Sequence, residues 1–241
     1  MSGRRSRAGV LARRTSGVLL PVTALPSRFG AGDLGGAARA FGETLLTAEQ
    51  SIWQVLPLGE VDAVGSPYAS PSAFAGDARL IDPWGLVGDG LLSAAEVRAW
   101  ERTPGRVTDP AYAARCRAAL LPRAYAAFTG GADYEAFLAR ERYWLKDYAL
   151  FDALKEHFGG APFFSWEEGA RRRERAYLRD FAEANREKLA YRYFMQYVFD
   201  RQLSSLRAYL AARGITLLGD IPFYVAPDSA DVWAHPELFS L

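Results

Sequence analysis

The chain has 241 residues, of which 50% are hydrophobic and 13% aromatic, and its formal net charge is +1. This composition is typical of a globular domain and excludes a disordered chain, and the small charge predicts no general affinity for nucleic acid or membrane surfaces. The single cysteine, Cys116, excludes an internal disulfide and suits a cytoplasmic protein, and no apolar run approaches the ~18 residues of a transmembrane helix.

The first fifteen residues carry arginine but no acidic residue. A transit peptide is conceivable, but the segment is weakly amphipathic and poor in serine. We therefore expect residues 1–15 to form a solvated basic tail.

The pattern from Gly17 to Leu58 predicts a strand, a helix and a second strand. The run GVLLPV, Gly17 to Val22, is the first strand candidate, and IWQVLPL, Ile52 to Leu58, is the second. Between them, apolar residues recur every three or four positions, and Asp33 is placed to cap this helix. A strand, helix and strand at this spacing form a βαβ unit with parallel strands.

A long loop and a helical region follow the second strand. The loop GEVDAVGSPYASPSAFAG is too rich in Gly, Ser and Pro for a helix, and loops of this length in compact domains usually have a function. From about residue 90 to 213 the pattern is mostly helical. Ser93 with Glu96 predicts a capping box, and Asp133 predicts the N-cap of a further helix with an aromatic, core-forming face.

The third predicted strand is the unbroken apolar run from Ile215 to Leu218, which is typical of a parallel strand buried on both faces. Asp220 follows it directly. In folds with parallel strands, ligands bind at the carboxyl ends of the strands, so Asp220 is a candidate site residue. The alternative is that Asp220 only caps a turn.

A dinucleotide fingerprint is one possible reading of the first loop. Gly30, Gly32 and Gly35 spell G-x-G-x-x-G between a strand and a helix, and Glu60 lies just past the second strand. However, seven residues separate the strand from these glycines, and Asp33 would put a carboxylate where the pyrophosphate should lie. This interpretation is therefore weak.

The sequence gives little support for a metal site or a catalytic cysteine. His157 and His235 have no paired metal ligand at i+3 or i+4, so no metal site is predicted. Cys116 lies in a helical segment with no nearby histidine.

By contrast, Asp220 and the Ser66-Pro67-Tyr68 loop would share one pocket if their strands belong to one barrel. A carboxylate accepts hydrogen bonds from sugar hydroxyls and an aromatic ring stacks on a pyranose, so these residues could form a glycan subsite.

Five blocks, in this order, resemble one known family. They are GVLLPVTALPSRFGAGDLG, WQVLPLG, GSPYASPSAFAGDARLIDP, YALFDALKEHFG and GITLLGDIPFYVAPDSADVWAHPELF. Together they resemble the amylomaltase (4-α-glucanotransferase, disproportionating enzyme) family of the α-amylase clan, over about residues 15–241. Because five blocks match in sequence order, the resemblance is far more specific than any single motif.

The resemblance implies an α/β fold, namely the first three strands of a (β/α)8 TIM barrel with a large helical insertion between strands two and three. It implies transfer of α-1,4-glucan segments to the 4-hydroxyl of another glucan or glucose, with retention of configuration and without a cofactor. The expected partners are therefore α-1,4-glucans, maltooligosaccharides and glucose. Asp220 would bind the sugar near the −1 subsite, where Ser66 and Tyr68 would also lie, with the Tyr68 ring stacked on the sugar.

The catalytic motifs of the family do not occur in this sequence. The nucleophile of an Arg-x-Asp-His-type motif and the acid/base of a Glu-Asp-Leu-Gly-type motif are expected beyond Leu241. We therefore expect residues 16–241 to be the N-terminal portion of the catalytic barrel, with the insertion at about 90–213, and to be inactive alone. The alternative is a non-catalytic glucan-binding fragment or a pseudoenzyme.

Overall fold

The computed structural model describes residues 14–61, 65–222 and 224–240, so most of the predicted basic tail at 1–15 lies outside the described residues. The strands are β1 (Gly17–Leu19), β2 (Ile52–Gln54), β3 (Ala69–Ser70), β4 (Thr216–Leu218) and β5 (Tyr224–Val225). The α-helices are α1 (Gly36–Thr47), α2 (Pro83–Gly88), α3 (Ala94–Arg98), α4 (Pro110–Ala126), α5 (Ala132–His157), α6 (Glu168–Arg171), α7 (Arg175–Ala184), α8 (Arg186–Ala211) and α9 (Ala230–Ala234).

The three predicted strands form one parallel sheet in the order β1-β2-β4. In this sheet Gly17 pairs with Ile52, and Ile52 pairs with Thr216 on its other side. Helix α1 connects β1 to β2, and the helical region connects β2 to β4. The combination of parallel strands with connecting helices confirms the predicted α/β class, and it brings the carboxyl ends of all three strands to one edge.

These strands are shorter than predicted. β1 ends at Leu19 rather than at Val22, since Pro21 has no N–H to donate to a neighbouring strand. β2 ends at Gln54 rather than at Leu58. The chain therefore leaves the sheet earlier than expected and gives more residues to the loops at its carboxyl edge.

Burial of the sheet also differs from the prediction. Trp53 in the central strand is fully buried, and its Nε1 donates a 2.8 Å hydrogen bond to the carbonyl of Leu20. Ile215, just before β4, is 2% exposed, but Leu19 is 54% exposed and Leu218 is 40% exposed. The prediction of a third strand buried on both faces therefore holds at Ile215 and is wrong at Leu218.

The helical region packs on the sheet mainly through α8, which also contacts α1 and α5. The Ser93–Glu96 capping box is present as predicted. The predicted cap at Asp133 is wrong, because α5 begins at Ala132 and Asp133 lies inside its first turn. The aromatic face of α5 is largely core, as predicted, since Phe137, Tyr148 and Phe151 are all buried, as are Leu145, Leu150 and Leu154.

Asp33 does not cap α1, contrary to the sequence prediction. The N-cap residue is Gly35, and Asp33 Oδ1 instead accepts a hydrogen bond from the Gly35 amide. Its other oxygen lies 2.8 Å from Nη2 of Arg117 on α4, and both side chains are buried. Arg117 also donates to the carbonyls of Phe29 and Ile81, so this residue joins the β1–α1 loop to the helical region.

Candidate functional site

Two of the three predicted sugar-binding residues are in direct contact. Asp220 lies just after β4 and Tyr68 lies just before β3. The Tyr68 hydroxyl donates a 2.9 Å hydrogen bond to Asp220 Oδ2, while Asp220 Oδ1 accepts from the amide of Ile221 at 2.9 Å. The hydrogen bond to Asp220 raises the pKa of Tyr68, which keeps the phenol protonated as a donor.

Ser66 supports the same loop through the backbone. Its Oγ accepts a 3.3 Å hydrogen bond from the amide of Tyr68, and both side chains are half-buried. A serine that accepts from the amide two residues later stabilises a tight turn. Ser66 therefore helps to fix the backbone from which Tyr68 reaches Asp220.

A second, two-stranded sheet joins the loop of Tyr68 to the loop of Asp220. The strands β3 and β5 run parallel, with Ala69 opposite Tyr224 and Ser70 opposite Val225. The pairing continues past β5, where the amide of Ala226 donates to the carbonyl of Ser70 at 3.0 Å. The sequence analysis did not identify these strands, since two residues are too few to give an alternating pattern.

The start of α9 adds two further contacts between these loops. The amide of Ala230 donates to the carbonyl of Pro71 at 2.9 Å, and Asp231 Oδ2 accepts from the amide of Ala73 at 2.9 Å. Together with the β3–β5 pairing, these hydrogen bonds make the two site loops one unit.

The structure adds a half-buried carboxylate, Glu60, that the sequence analysis considered only as part of the dinucleotide fingerprint. Glu60 Oε1 accepts a 2.9 Å hydrogen bond from the Tyr148 hydroxyl on α5. Burial, with a smaller effect of the nearby Asp152 carboxylate, raises the pKa of Glu60 to about 7. Glu60 follows β2 as Asp220 follows β4. Its position after a parallel strand could therefore have identified it from the sequence.

A cavity of about 330 Å³ lies between the loop after β3, α5 and the segment from α9 to Phe239. Its wall includes Phe74, whose ring stacks on Trp144 at a centroid distance of 5.9 Å. The described residues that line the cavity do not include Tyr68 or Asp220. The hydrogen-bonded pair therefore lies outside this cavity, at the carboxyl edge of the strands.

The glycines of the dinucleotide fingerprint are packed against the chain itself. A Cβ on Gly32 would lie 2.0 Å from the carbonyl oxygen of Val22, and one on Gly35 would lie 2.4 Å from Asp82 Oδ2. These close approaches to protein atoms account for glycine at both positions without a bound pyrophosphate.

The remaining candidates are accounted for by local contacts. His157 packs edge-on against the rings of Phe158 and Phe181, and His235 Nδ1 lies 3.3 Å from Glu237. Within residues 14–61, 65–222 and 224–240, no cluster of His, Cys, Asp and Glu side chains is arranged to hold a metal ion. None of the helices in that part of the chain is long and apolar enough to cross a membrane.

Comparison with known proteins decides the family. A profile described as 4-alpha-glucanotransferase matches residues 20–241. The chain belongs to the 4-alpha-glucanotransferase family. It is 39% identical over 230 residues to the 4-alpha-glucanotransferase of Aquifex aeolicus (strain VF5), covering 95% of this chain and 47% of that relative. It is 41% identical over 243 residues to the Thermus thermophilus 4-alpha-glucanotransferase, covering 95% of this chain and 46% of that one.

A solved structure agrees with this assignment. The amylomaltase from Streptococcus agalactiae in complex with acarbose matches with a TM-score of 0.88 at 36% identity, over 95% of this chain and 47% of that chain. The chain therefore spans about half the length of the relatives it matches. Membership of the family also leaves the dinucleotide interpretation without support.

Proposed function

We propose that the protein is a 4-α-glucanotransferase that transfers α-1,4-glucan segments to the 4-hydroxyl of an acceptor glucan or glucose. Its substrates are then maltooligosaccharides and longer α-1,4-glucans. A cytoplasmic location is part of this proposal, because Cys116 is a free, buried thiol. The contact between Tyr68 and Asp220 is the observation that carries the proposal.

The two side chains supply the groups that sugar recognition needs. A carboxylate has about four acceptor positions, of which Asp220 gives one to Tyr68 and one to the amide of Ile221. Its other lone pairs can accept hydrogen bonds from adjacent hydroxyls of a glucose unit, while the Tyr68 ring offers an apolar face. Ser66 holds the Tyr68 backbone and completes the proposed subsite.

The fold supports a barrel architecture. We propose that β1, β2 and β4 are three strands of a (β/α)8 barrel, and that the helical region at about 90–213 is an insertion between barrel strands two and three. In such barrels the loops at the carboxyl ends of the strands build the active site. That edge is where Asp220 and Tyr68 meet, within a catalytic domain that we assign to residues 16–241.

The chemical step is proposed to retain the anomeric configuration. Retaining enzymes use two carboxyl groups ~5 Å apart, one as nucleophile and the other as acid/base. We assign neither role to a residue of this chain. Asp220, Tyr68 and Ser66 instead bind the glucose unit whose linkage is broken and hold it in the geometry for attack. The acarbose complex of the Streptococcus agalactiae amylomaltase supports a carbohydrate ligand for this fold.

The test is disproportionation of maltotriose by the complete gene product. We expect glucose together with longer maltooligosaccharides. The total number of reducing ends should stay at the level of a buffer control without enzyme, because transfer, unlike hydrolysis, creates no new reducing end. A folded product that binds maltotriose without turning it over would favour the non-catalytic glucan-binding alternative. A folded product that neither binds nor converts maltotriose would overturn the proposal.

A further inference from the structure

An ion pair remote from the proposed sugar contacts ties the Asp220 loop to the helical region. Lys155 is in the last turn of α5, and its Nζ lies 2.6 Å from Asp228 Oδ2. The same ammonium donates to the carbonyls of Gly160 at 2.9 Å and Ala161 at 3.1 Å. An ammonium has three N–H donors, so these acceptors use all of them and fix the side chain in one place.

The second oxygen of Asp228 also contacts the helical region. Oδ1 accepts a 2.9 Å hydrogen bond from the amide of Phe163, which lies in the segment after α5. Both Lys155 and Asp228 are about one-quarter exposed, so solvent weakens this arrangement less than it weakens an exposed ion pair. Asp228 therefore holds its loop through both carboxylate oxygens.

Asp228 belongs to the same short segment as the proposed sugar-binding carboxylate. The chain passes from Asp220 through β5 to Asp228 and then into α9. The sheet β3–β5 has only two residue pairs, and a sheet this small gives limited rigidity without packing against another element. The contacts of Asp228 add to the packing of α9 on α5 and hold the chain just before α9 on the helical region.

We propose that Lys155 and Asp228 are positioning residues, which hold the loop between β4 and α9 on the helical region and so keep Asp220 at hydrogen-bonding distance from Tyr68. Neither residue needs to touch substrate in this role. The inference rests on the proposed function for its kinetic consequence, but its structural consequence concerns Tyr68 and Asp220 alone. The helical region then serves as the support on which the sugar-binding loops are aligned.

The test uses Lys155→Met and Asp228→Asn in the complete gene product. Displacement of binding groups by a fraction of an ångström weakens substrate alignment strongly, so we expect KM for maltotriose to rise about tenfold in each variant. The double variant should be no worse than either single one, because the two residues act as a pair. Lys155→Arg, which keeps the charge, should recover part of the loss.

A spectroscopic readout separates positioning from general destabilisation. The ¹³C resonance of the Tyr68 phenol carbon, assigned with Tyr68→Phe, reports its pKa, which the hydrogen bond to Asp220 raises. In Lys155→Met this pKa should fall toward the usual value for tyrosine as the contact loosens. If the wild-type protein has no glucanotransferase activity, the proposed function fails, and the Tyr68 titration still decides the positioning role.

Asp89→Asn is the matched control. Asp89 pairs with Arg201 at 2.7 Å, and its side chain is about as exposed as that of Asp228, but the pair joins α2 to α8. This variant should keep the wild-type KM and the wild-type Tyr68 titration. The positioning role is overturned if Lys155→Met matches the wild type in both readouts, or if Asp89→Asn changes them as much.

Discussion

The hydroxyl of Tyr68 lies 2.9 Å from Oδ2 of Asp220, although 152 residues separate the two along the chain. The parallel sheet explains the meeting, because β2 and β4 are neighbours and their carboxyl ends open onto the same edge. The hydrogen bond orients the carboxylate in advance of the proposed sugar ligand. Such preorganisation lowers the entropic cost of binding.

Asp220→Asn should lower kcat/KM for maltotriose by about 100-fold in the complete gene product. The amide is nearly the same size but carries no charge, so hydrogen bonds from sugar hydroxyls become weaker. Initial rates of glucose release, with a melting curve to verify folding, provide the measurement. An unchanged kcat/KM in a folded variant would remove Asp220 from the sugar-binding site.

Tyr68→Phe and Tyr68→Ala should separate two contributions of the tyrosine. Sequence reasoning gave Tyr68 only a stacking role, but the structure adds the hydroxyl that orients Asp220. We expect kcat/KM to fall about tenfold in the Phe variant and further in the Ala variant, which also loses the ring. Equal losses would assign the effect to the hydroxyl alone, whereas wild-type kinetics for Phe would show that the hydrogen bond contributes nothing.

The sequence was sufficient to predict the arrangement of the sheet and the edge at which the candidate site lies. Unbroken apolar runs identified the parallel strands, and a carboxylate directly after such a run identified Asp220. The rule that ligands bind at the carboxyl ends of parallel strands then associated Asp220 with the Ser66–Tyr68 loop. The sheet order and the contact between Tyr68 and Asp220 agree with these inferences, because local pattern and sheet topology determine which strand ends meet.

Contacts that depend on the packing of the helical region were not predictable in this way. Asp33 looked like a helix cap because aspartate before a helix commonly has that role, but Arg117, 84 residues later, binds its carboxylate instead. The same reason applies to Tyr148 beside Glu60 and to Lys155 beside Asp228. Each pair depends on how the helical region packs against the sheet loops, which no local pattern encodes.

Glu60 should make stability depend on pH. Its pKa is raised to about 7, chiefly by burial and also by the charges of Asp152 and Asp77, while Tyr148 and Arg79 act in the opposite direction. Between its ordinary value of 4.5 and about 7, the folded chain therefore holds a proton that the unfolded chain has released. The free energy of unfolding therefore falls as pH rises through this window, and it stays constant with respect to Glu60 above it.

Glu60→Gln should remove this contribution while keeping an acceptor for the Tyr148 hydroxyl. The variant should gain stability relative to the wild type as pH rises from 4.5 to about 7, by at most about 3 kcal/mol. Urea unfolding of the complete gene product at several pH values measures the difference. The exposed Glu135→Gln variant should follow the wild type throughout, and a Glu60→Gln curve parallel to the wild type would contradict the prediction.

Arg117→Met should be among the more destabilising substitutions in the chain. The guanidinium donates to Asp33 Oδ2 at 2.8 Å, to the Ile81 carbonyl at 3.0 Å and to the Phe29 carbonyl at 3.2 Å. Burial already raises the pKa of Asp33 to about 7, and without Arg117 this acidic group stays buried with no cation beside it. Removing one partner of a buried ion pair costs about 3–5 kcal/mol. Denaturant unfolding of the complete gene product measures this loss.

Two further variants show whether the loss of stability in Arg117→Met arises from the unpaired acidic group of Asp33. Adding Asp33→Asn to Arg117→Met should recover part of the stability, since the unpaired acidic group is then absent. Arg123→Met lies on the same helix and breaks an ion pair with Glu96 in which the Arg123 side chain is 64% exposed, so its cost should stay below about 1 kcal/mol. Equal costs at Arg117 and Arg123 would mean that burial of the Asp33 pair does not set its contribution to stability.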